Sequence, residues 1–167
     1  MAHQKAYGIL VALVAAWCGL ILVAPLLRSE QLLPTFSQSL YQFFSIICHQ
    51  LDDRSFHLGG EKFAVCIRCS SIYFGFLIGA LFQPLRRKRG AIPSVSLLFF
   101  ASAPMVADVA MNLLGIRESD LFSRTFTGGL FGIILPSFII PALSEAVGQF
   151  QRQLFTSGGL LNARKTK

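Results

Sequence analysis

Four apolar runs, residues 7–27, 70–85, 92–114 and 125–147, constrain this chain more than any other feature. A helix crosses a hydrocarbon core of about 30 Å in roughly 20 residues, and three of the runs reach that length. The second, 16 residues long, covers only about 24 Å at a rise of about 1.5 Å per residue. A span there must therefore begin earlier, near residue 66. Composition agrees: the 167 residues are 53% hydrophobic and 14% charged, where a soluble domain carries about a quarter charged residues. Sixteen Phe and fourteen Gly suit lipid-facing bulk and close helix approach.

The first run is longer than the apolar region of a secretory signal, and no A-x-A site closes it. Bulky Trp17 argues against lipoprotein processing at Cys18. An uncleaved anchor is expected, with Cys18 as a buried filler.

The formal net charge of +7 is explained by where the charges lie. Arg86, Arg87, Lys88 and Arg89 follow the second run at once, and an excess of Lys and Arg marks the cytoplasmic side. With four spans, Lys5, this turn and the tail (Arg152, Arg164, Lys165, Lys167) all lie inside, nine basic residues together. The six on the other side (Arg28, Arg54, Lys62, Arg68, Arg117, Arg124) face six acids, Glu30, Asp52, Asp53, Glu61, Glu118 and Asp120. Basic patches so placed serve topology and lipid headgroups, and no nucleic-acid partner is expected. The expected fold is an all-α integral membrane protein of the plasma (inner) membrane. It has four transmembrane helices (about 7–27, 66–85, 92–114 and 125–147) in one domain, 1–148, both termini inside, and a cytoplasmic tail, 149–167.

The long extramembrane segment, 28–69, lies between the first two spans. Thr35 and Gln38 fit a capping box with Thr35 as N-cap. Phe36, Leu40, Phe43, Phe44 and Ile47 then follow at spacings that make one helical stripe, as in an amphipathic helix lying in the membrane interface. Cys48 continues the stripe.

Beyond it, residues 48–69 concentrate three of the four cysteines, two of the three histidines, and Arg54 and Arg68. With the second helix starting near Val65, Cys66, Cys69 and Tyr73 stack on one face. Helix N-terminal amides and Arg68 favour thiolates there. Three thiols cannot all pair with one another. Cys48, Cys66 and Cys69 with His49 or His57 would supply the sulfur and nitrogen ligands that zinc or another transition metal takes tetrahedrally. Alternatively, Cys66 and Cys69 form a reversible disulfide with Cys48 as exchange partner. The third option is a structural disulfide, Cys48 to Cys66 or Cys66 to Cys69, with one idle thiol.

In the third span Pro104, Asp108 and Asn112 are four apart, on one face. A carboxylate at that depth must find a partner in the bundle, and Arg68 and Arg124 are the natural counter-ions. Asp108 is then a metal ligand, proton carrier or general base, or half of a structural ion pair. Glu145 reaches the cytoplasmic interface. Gly75 with Gly79, and Gly128 with Gly132, let the second and fourth helices pack backbone to backbone, which would bring Arg124 near Cys66 and Cys69.

Cys48-His49-Gln50, Arg54-Ser55-Phe56, Cys66-Ile67-Arg68-Cys69 with Ile72-Tyr73-Phe74-Gly75, Asp108, and Arg124 with Thr127-Gly128 resemble the prokaryotic membrane proteins grouped as domain of unknown function 2085. The resemblance runs from about Tyr41 to Gly132. It departs from the family at Ser70-Ser71, where Thr-Gly is common, and at Asp108-Val109, where Asp-Gly is. It implies that these polar residues belong to one site.

The function expected is an outward-facing metal site, with Asp108, Arg54, Arg68 and Arg124 as a polar layer beside it. A metal-dependent enzyme of this kind would act on a lipid-linked or periplasmic small molecule. The rival is a membrane thiol-disulfide oxidoreductase. The layout is similar to the bacterial quinone-linked disulfide-generating proteins, with C-x-x-C at the outer start of the second helix, although the outer loop 115–123 lacks their second cysteine pair. Metal transport or handling and a non-catalytic assembly role are the remaining readings.

Overall fold

The computed structural model of the chain describes residues 2–87, 94–118 and 120–165. Lys88, Arg89 and Lys167, part of the expected cytoplasmic charge, lie outside the described residues, as does the start of the third expected span at 92–93.

The described chain is mainly helical. It begins with α1 (Ala2–Ser29) and α2 (Pro34–Ser45), then a 3₁₀ turn at Asp52–Arg54 and an antiparallel hairpin of β1 (Ser55–Leu58) and β2 (Glu61–Cys66). The helices α3 (Ile67–Arg87), α4 (Val95–Leu113), α5 (Leu121–Ile134) and α6 (Pro136–Lys165) follow. Among the described residues, three stretches are long and apolar enough to cross a membrane: Lys5–Ser29, Val95–Leu113 and Leu121–Phe150. The last joins α5 and α6, which break at Leu135 because Pro136 has no N–H to continue the ladder. It starts four residues before the expected 125, where Asp120 accepts from the Ser123 amide at 2.7 Å and caps α5. The helix α3, in the place of the second expected span, is 21 residues long but carries Arg68, Ser70, Ser71 and Gln83 among its apolar residues. Residues 149–165, expected as a separate tail, continue α6.

The segment 28–69 holds more structure than a helix and a loop. The Gly59-Gly60 dipeptide, with φ of 61° and 84°, makes a two-residue turn that suits a twisted hairpin. Register pairs Leu58 with Glu61, His57 with Lys62 and, past an irregularity, Ser55 with Cys66. Phe63, Ala64 and Val65 are all buried, because β2 packs against both α1 and α2.

The expected capping box at Thr35 is not formed. Leu33, in the left-handed region, occupies the N-cap, and Pro34 opens the helix with its φ already set. Of the predicted stripe, Leu40 and Phe44 are buried and Cys48 follows them inward, while Phe36, Phe43 and Ile47 remain about half exposed. The Ser37 hydroxyl, also buried, donates to the Ala24 carbonyl at 2.9 Å and fixes α2 to α1. Trp17 of α1 meets Phe43, Phe44 and Tyr73 edge-on. Burying Phe44 completely contributes about 2–3 kcal/mol.

The expected glycine seam forms between α3 and α5. A Cβ on Gly75 would stand 2.7 Å from the Gly129 carbonyl oxygen, and one on Gly128 2.9 Å from that of Arg68. Cβ atoms at Gly79 and Gly132 would collide with the backbones of Ile133 and Ile72. These contacts rise together along both helices, so α3 and α5 run parallel. Tyr7, at the start of α1, donates to the Ala80 carbonyl near the end of α3 at 2.8 Å, so α1 runs antiparallel to α3. The ion pair of Arg68 with Asp108 places the end of α4 beside the start of α3. One end of the bundle thus collects the hairpin, the start of α3, the end of α4 and the start of α5.

Candidate metal centre

That end carries the candidate site residues. Cys48 leaves the buried stripe of α2, Cys66 ends β2, and Cys69 lies in the first turn of α3. Their three sulfurs all lie within 4.8 Å of one another. Two sulfurs at about 2.3 Å from a tetrahedral ion stand about 3.8 Å apart, so the cluster fits a metal with small rotations of the side chains. All four cysteines are free thiols, and Cys18 is buried away from the cluster in α1. Neither alternative pairing, Cys48 with Cys66 or Cys66 with Cys69, is a disulfide in this structure.

The chain holds Cys48 in place through its own backbone. The Cys66 amide donates to Cys48 Sγ at 3.1 Å, so the strand that delivers one cysteine also orients another. Gln50 adopts a φ of 50° and turns the chain back after Cys48. Its side chain donates to the Tyr41 carbonyl at 2.7 Å, and Lys62 Nζ donates to the Gln50 carbonyl at 2.9 Å. The Tyr41 hydroxyl donates to the Lys62 carbonyl, closing a loop of contacts between α2 and the hairpin. Arg28 pairs with Glu61 at 3.1 Å and lies over the Tyr41 ring. Ser55, opposite Cys66, donates to the Leu51 carbonyl at 2.8 Å. Burial pushes the Tyr41 hydroxyl up to about 12. Hydrogen bonds from the thiols of Cys66 and then Cys69, with the backbone amides of Cys66 and Gln50, hold the Cys48 thiol far below its ordinary range against the opposing effect of burial.

Neither histidine belongs to the sulfur cluster. His49 is exposed. His57 is exposed on β1, with Nε2 at 3.4 Å from Asp52.

Beside the sulfurs stands the polar layer. Asp108 is buried, ion-paired with Arg68 and hydrogen-bonded by the Ser123 hydroxyl. Removing a lone carboxylate from water at this depth costs roughly 3 kcal/mol or more, and these donors offset it. Pro104 and Asn112, on the same face of α4, are half-buried. Arg124 is buried in the first turn of α5, within electrostatic reach of Arg54, Arg68, Asp108 and Cys66. Arg54 extends from the 3₁₀ turn, half exposed, 3.4 Å from Asp53. Glu145 is exposed on α6, apart from this group. Arg68, Asp108 and Arg124, chosen from sequence, therefore gather at one end. Ser123 was not among the sequence candidates, because a serine three residues past an N-cap carries no pattern that points to a carboxylate on another helix. Lys62 and Tyr41, which shape the Cys48 turn together with Gln50 of the Cys48-His49-Gln50 motif, likewise act through carbonyl groups that sequence does not display.

The family described as "Predicted membrane protein (DUF2085)" matches residues 48–138, more than half of the chain. An uncharacterised protein of Methanocaldococcus jannaschii is 39% identical over 110 residues, 65% of this chain and 70% of its own length. Another, of Methanothermobacter thermautotrophicus, is 34% identical over 90 residues, 54% of this chain and 81% of its own. No solved structure matches the chain. The matched region begins at Cys48 and takes in the three clustered cysteines, Asp108 and Arg124.

Proposed function

We propose that this chain, which belongs to the DUF2085 family of predicted membrane proteins, holds a zinc-like transition-metal ion on Cys48, Cys66 and Cys69 at the outer face of the plasma membrane. The observation that carries the proposal is the approach of three free sulfurs to within 4.8 Å from three separate elements. The Cys66 amide supports it, since it donates to Cys48 Sγ at 3.1 Å and favours a thiolate ligand there.

In this reading the chain crosses four times, with α3 as the second span. Its 21 residues extend about 31 Å, and Arg68 and Ser71 among its polar residues lie against α5. The start of α1, the end of α3 and the end of α6 then lie in the cytoplasm, and the hairpin lies outside. Three sulfur ligands leave a fourth position for His49, His57 or a solvent or substrate oxygen, the last being the arrangement of a catalytic site. A metal bound there would supply Lewis acidity. Asp108 would accept or return a proton at that end of the bundle, and Arg54, Arg68 and Arg124 would orient a lipid-linked or periplasmic small molecule.

A thiol-disulfide oxidoreductase is the second reading, favoured by the depressed titration of Cys48 and by the reach of each sulfur to the others. In it two thiols lose two electrons and two protons to a quinone, giving a disulfide and a quinol.

Elemental analysis of the purified full chain tests the first reading. About one metal ion per chain is expected, lost in Cys48→Ser, Cys66→Ser and Cys69→Ser while helical content is retained. A folded, metal-free protein whose Cys66–Cys69 disulfide exchanges electrons with quinol supports the second reading and overturns the first.

A further inference from the structure

The helix α2 turns large apolar side chains outward. Phe36, Phe43 and Ile47 are each about half exposed, and Ile46, just past the helix end, is 81% exposed. Spacings of seven and four put Phe36, Phe43 and Ile47 in one row along the helix and its last turn. Gln38, Gln42 and Ser45, spaced by four and three, make an exposed polar row on another face. Residues 31–48 contain no Asp, Glu, Lys or Arg, although charge stands on both sides of them, at Arg28 and Glu30 and again at Asp52, Asp53 and Arg54. The three serines of α2 find acceptors within the chain: Ser37 donates to the Ala24 carbonyl, Ser39 to that of Thr35 and Ser45 to that of Gln42.

This helix does not lie flat across the end of α1. The connection between them, residues 30–33, is four residues long, short enough for a hairpin of antiparallel helices. Ser37 bonds to Ala24, and seven residues later Phe44 meets Trp17, seven residues earlier on α1. Between these contacts α2 returns about 10 Å along α1, at a rise of about 1.5 Å per residue. Trp17 stands halfway along the apolar stretch Lys5–Ser29, and Phe43 and Tyr73 meet it as well. The end of α2 is thus deeper in the bundle than its start. After Cys48 the chain turns back through left-handed Gln50, and Asp52 and Asp53 are exposed again. The descent is confined to α2 and its last turn.

We infer that α2 is inserted in the membrane at a tilt, with the Phe36, Phe43 and Ile47 row and Ile46 entering the acyl chains beside α1 and the C-terminal end deepest. The occupant of this surface is lipid. On α1, Leu13 and Leu26, before and after Trp17, are also exposed, so acyl chains reach α1 at heights that bracket the end of α2. An interfacial helix buries its apolar side about 5–10 Å into the boundary of headgroups and chains, and the slope of α2 is of that size. The polar row then faces the headgroups. Because Cys48 follows Ile47 directly, the insertion holds the sulfur cluster close to lipid. Only the choice of the outer leaflet rests on the proposed topology.

The test uses the full chain in phosphatidylcholine vesicles. Trp17 is the single tryptophan, and Trp17→Phe, which keeps an aromatic ring against Phe43 and Phe44, leaves room for one reporter at a time at Phe36→Trp, Phe43→Trp or Ile47→Trp. Lipids brominated near the glycerol end or near the methyl end of the acyl chain quench by contact, and iodide quenches from water. All three reporters are expected to emit further to the blue than an aqueous tryptophan, with little loss to iodide. The balance of quenching should shift toward the deep bromines from Phe36→Trp through Phe43→Trp to Ile47→Trp. Equal depth at the three positions, as for a flat helix, or quenching by iodide alone overturns the inference. Wild type supplies a readout that needs no substitution: a phospholipid carrying a photoactivated diazirine on its acyl chain should leave adducts within residues 31–51. Adducts on α1 and α4 with none in that segment also overturn it. Metal content and the side of the hairpin are measured on the same preparations. Insertion without metal removes the metal assignment alone, insertion with a cytoplasmic hairpin changes only the leaflet, and metal without insertion removes this inference alone.

Discussion

Arg68, the residue before Cys69, is ion-paired with Asp108, forty positions along the chain and on a different helix. The pair ties the start of α3, which carries the cysteines, to the end of α4, while Ser123 brings α5 to the same carboxylate. Replacing Asp108 by Asn leaves a partly buried guanidinium without its counter-charge, which costs roughly 3–5 kcal/mol. Ser123→Ala removes one hydrogen bond and costs about 1 kcal/mol. Thermal unfolding in detergent should rank the two in that order; equal losses would show that the pair does not hold the helices together.

The glycine seam gives a second expectation. Gly132→Ala drives a Cβ into the Ile72 backbone, and helix backbones cannot yield as a flexible side chain can. It should lower the unfolding midpoint and weaken cross-linking between cysteines placed on facing positions of α3 and α5. Gly8→Ala, with open space around it, should be neutral or slightly stabilising, because alanine is the better helix former by about 1 kcal/mol.

Tyr41 provides a pH signature. Its folded-state pKa is raised from 10.0 to about 12, so its contribution to stability is complete below pH 10 and disappears as pH rises through about 12. Ionisation also removes the donor to the Lys62 carbonyl. Ultraviolet titration should show a late-ionising tyrosine that is missing from Tyr41→Phe, and the hairpin of that variant should be cut by protease faster than in wild type. An ordinary phenol titration with an unchanged hairpin would contradict the role assigned to this hydroxyl.

Metal retention should depend on all three sulfurs, though not on the histidines in equal degree. His57 lies outside the sulfur cluster and beside Asp52, so His57→Ala should leave bound metal unchanged, whereas Cys48→Ser should release it. Metal-to-protein ratios after dialysis against a weak chelator decide this, with release from His57→Ala assigning that imidazole as the fourth ligand.

Sidedness is open to direct measurement. A reporter fused after Arg89 is expected to read cytoplasmic, and a cysteine placed at Gly60 should react with an impermeant thiol reagent from outside. Cytoplasmic labelling of the hairpin would place the sulfur cluster on the inner face.

Primary structure alone settled the solvent in which this protein folds. Apolar runs of the first, third and fourth stretches are long enough to cross lipid wherever they stand relative to one another, because transfer from water depends on local composition. It also fixed which residue types could bind metal, and glycine spacing foretold that α3 and α5 touch. Gly59-Gly60 permits the tight turn of the hairpin, but the pairing of Ser55 with Cys66 across it depends on where β2 packs. Only the folded bundle decided that Cys48 meets Cys66 and Cys69 while His49 and His57 stand outside the cluster, that Arg68 faces Asp108, and that Ser123 joins them. Those choices depend on helix direction, strand register and contacts between distant segments. Each is set by packing free energies shared over the whole molecule, and no local pattern of side chains contains them.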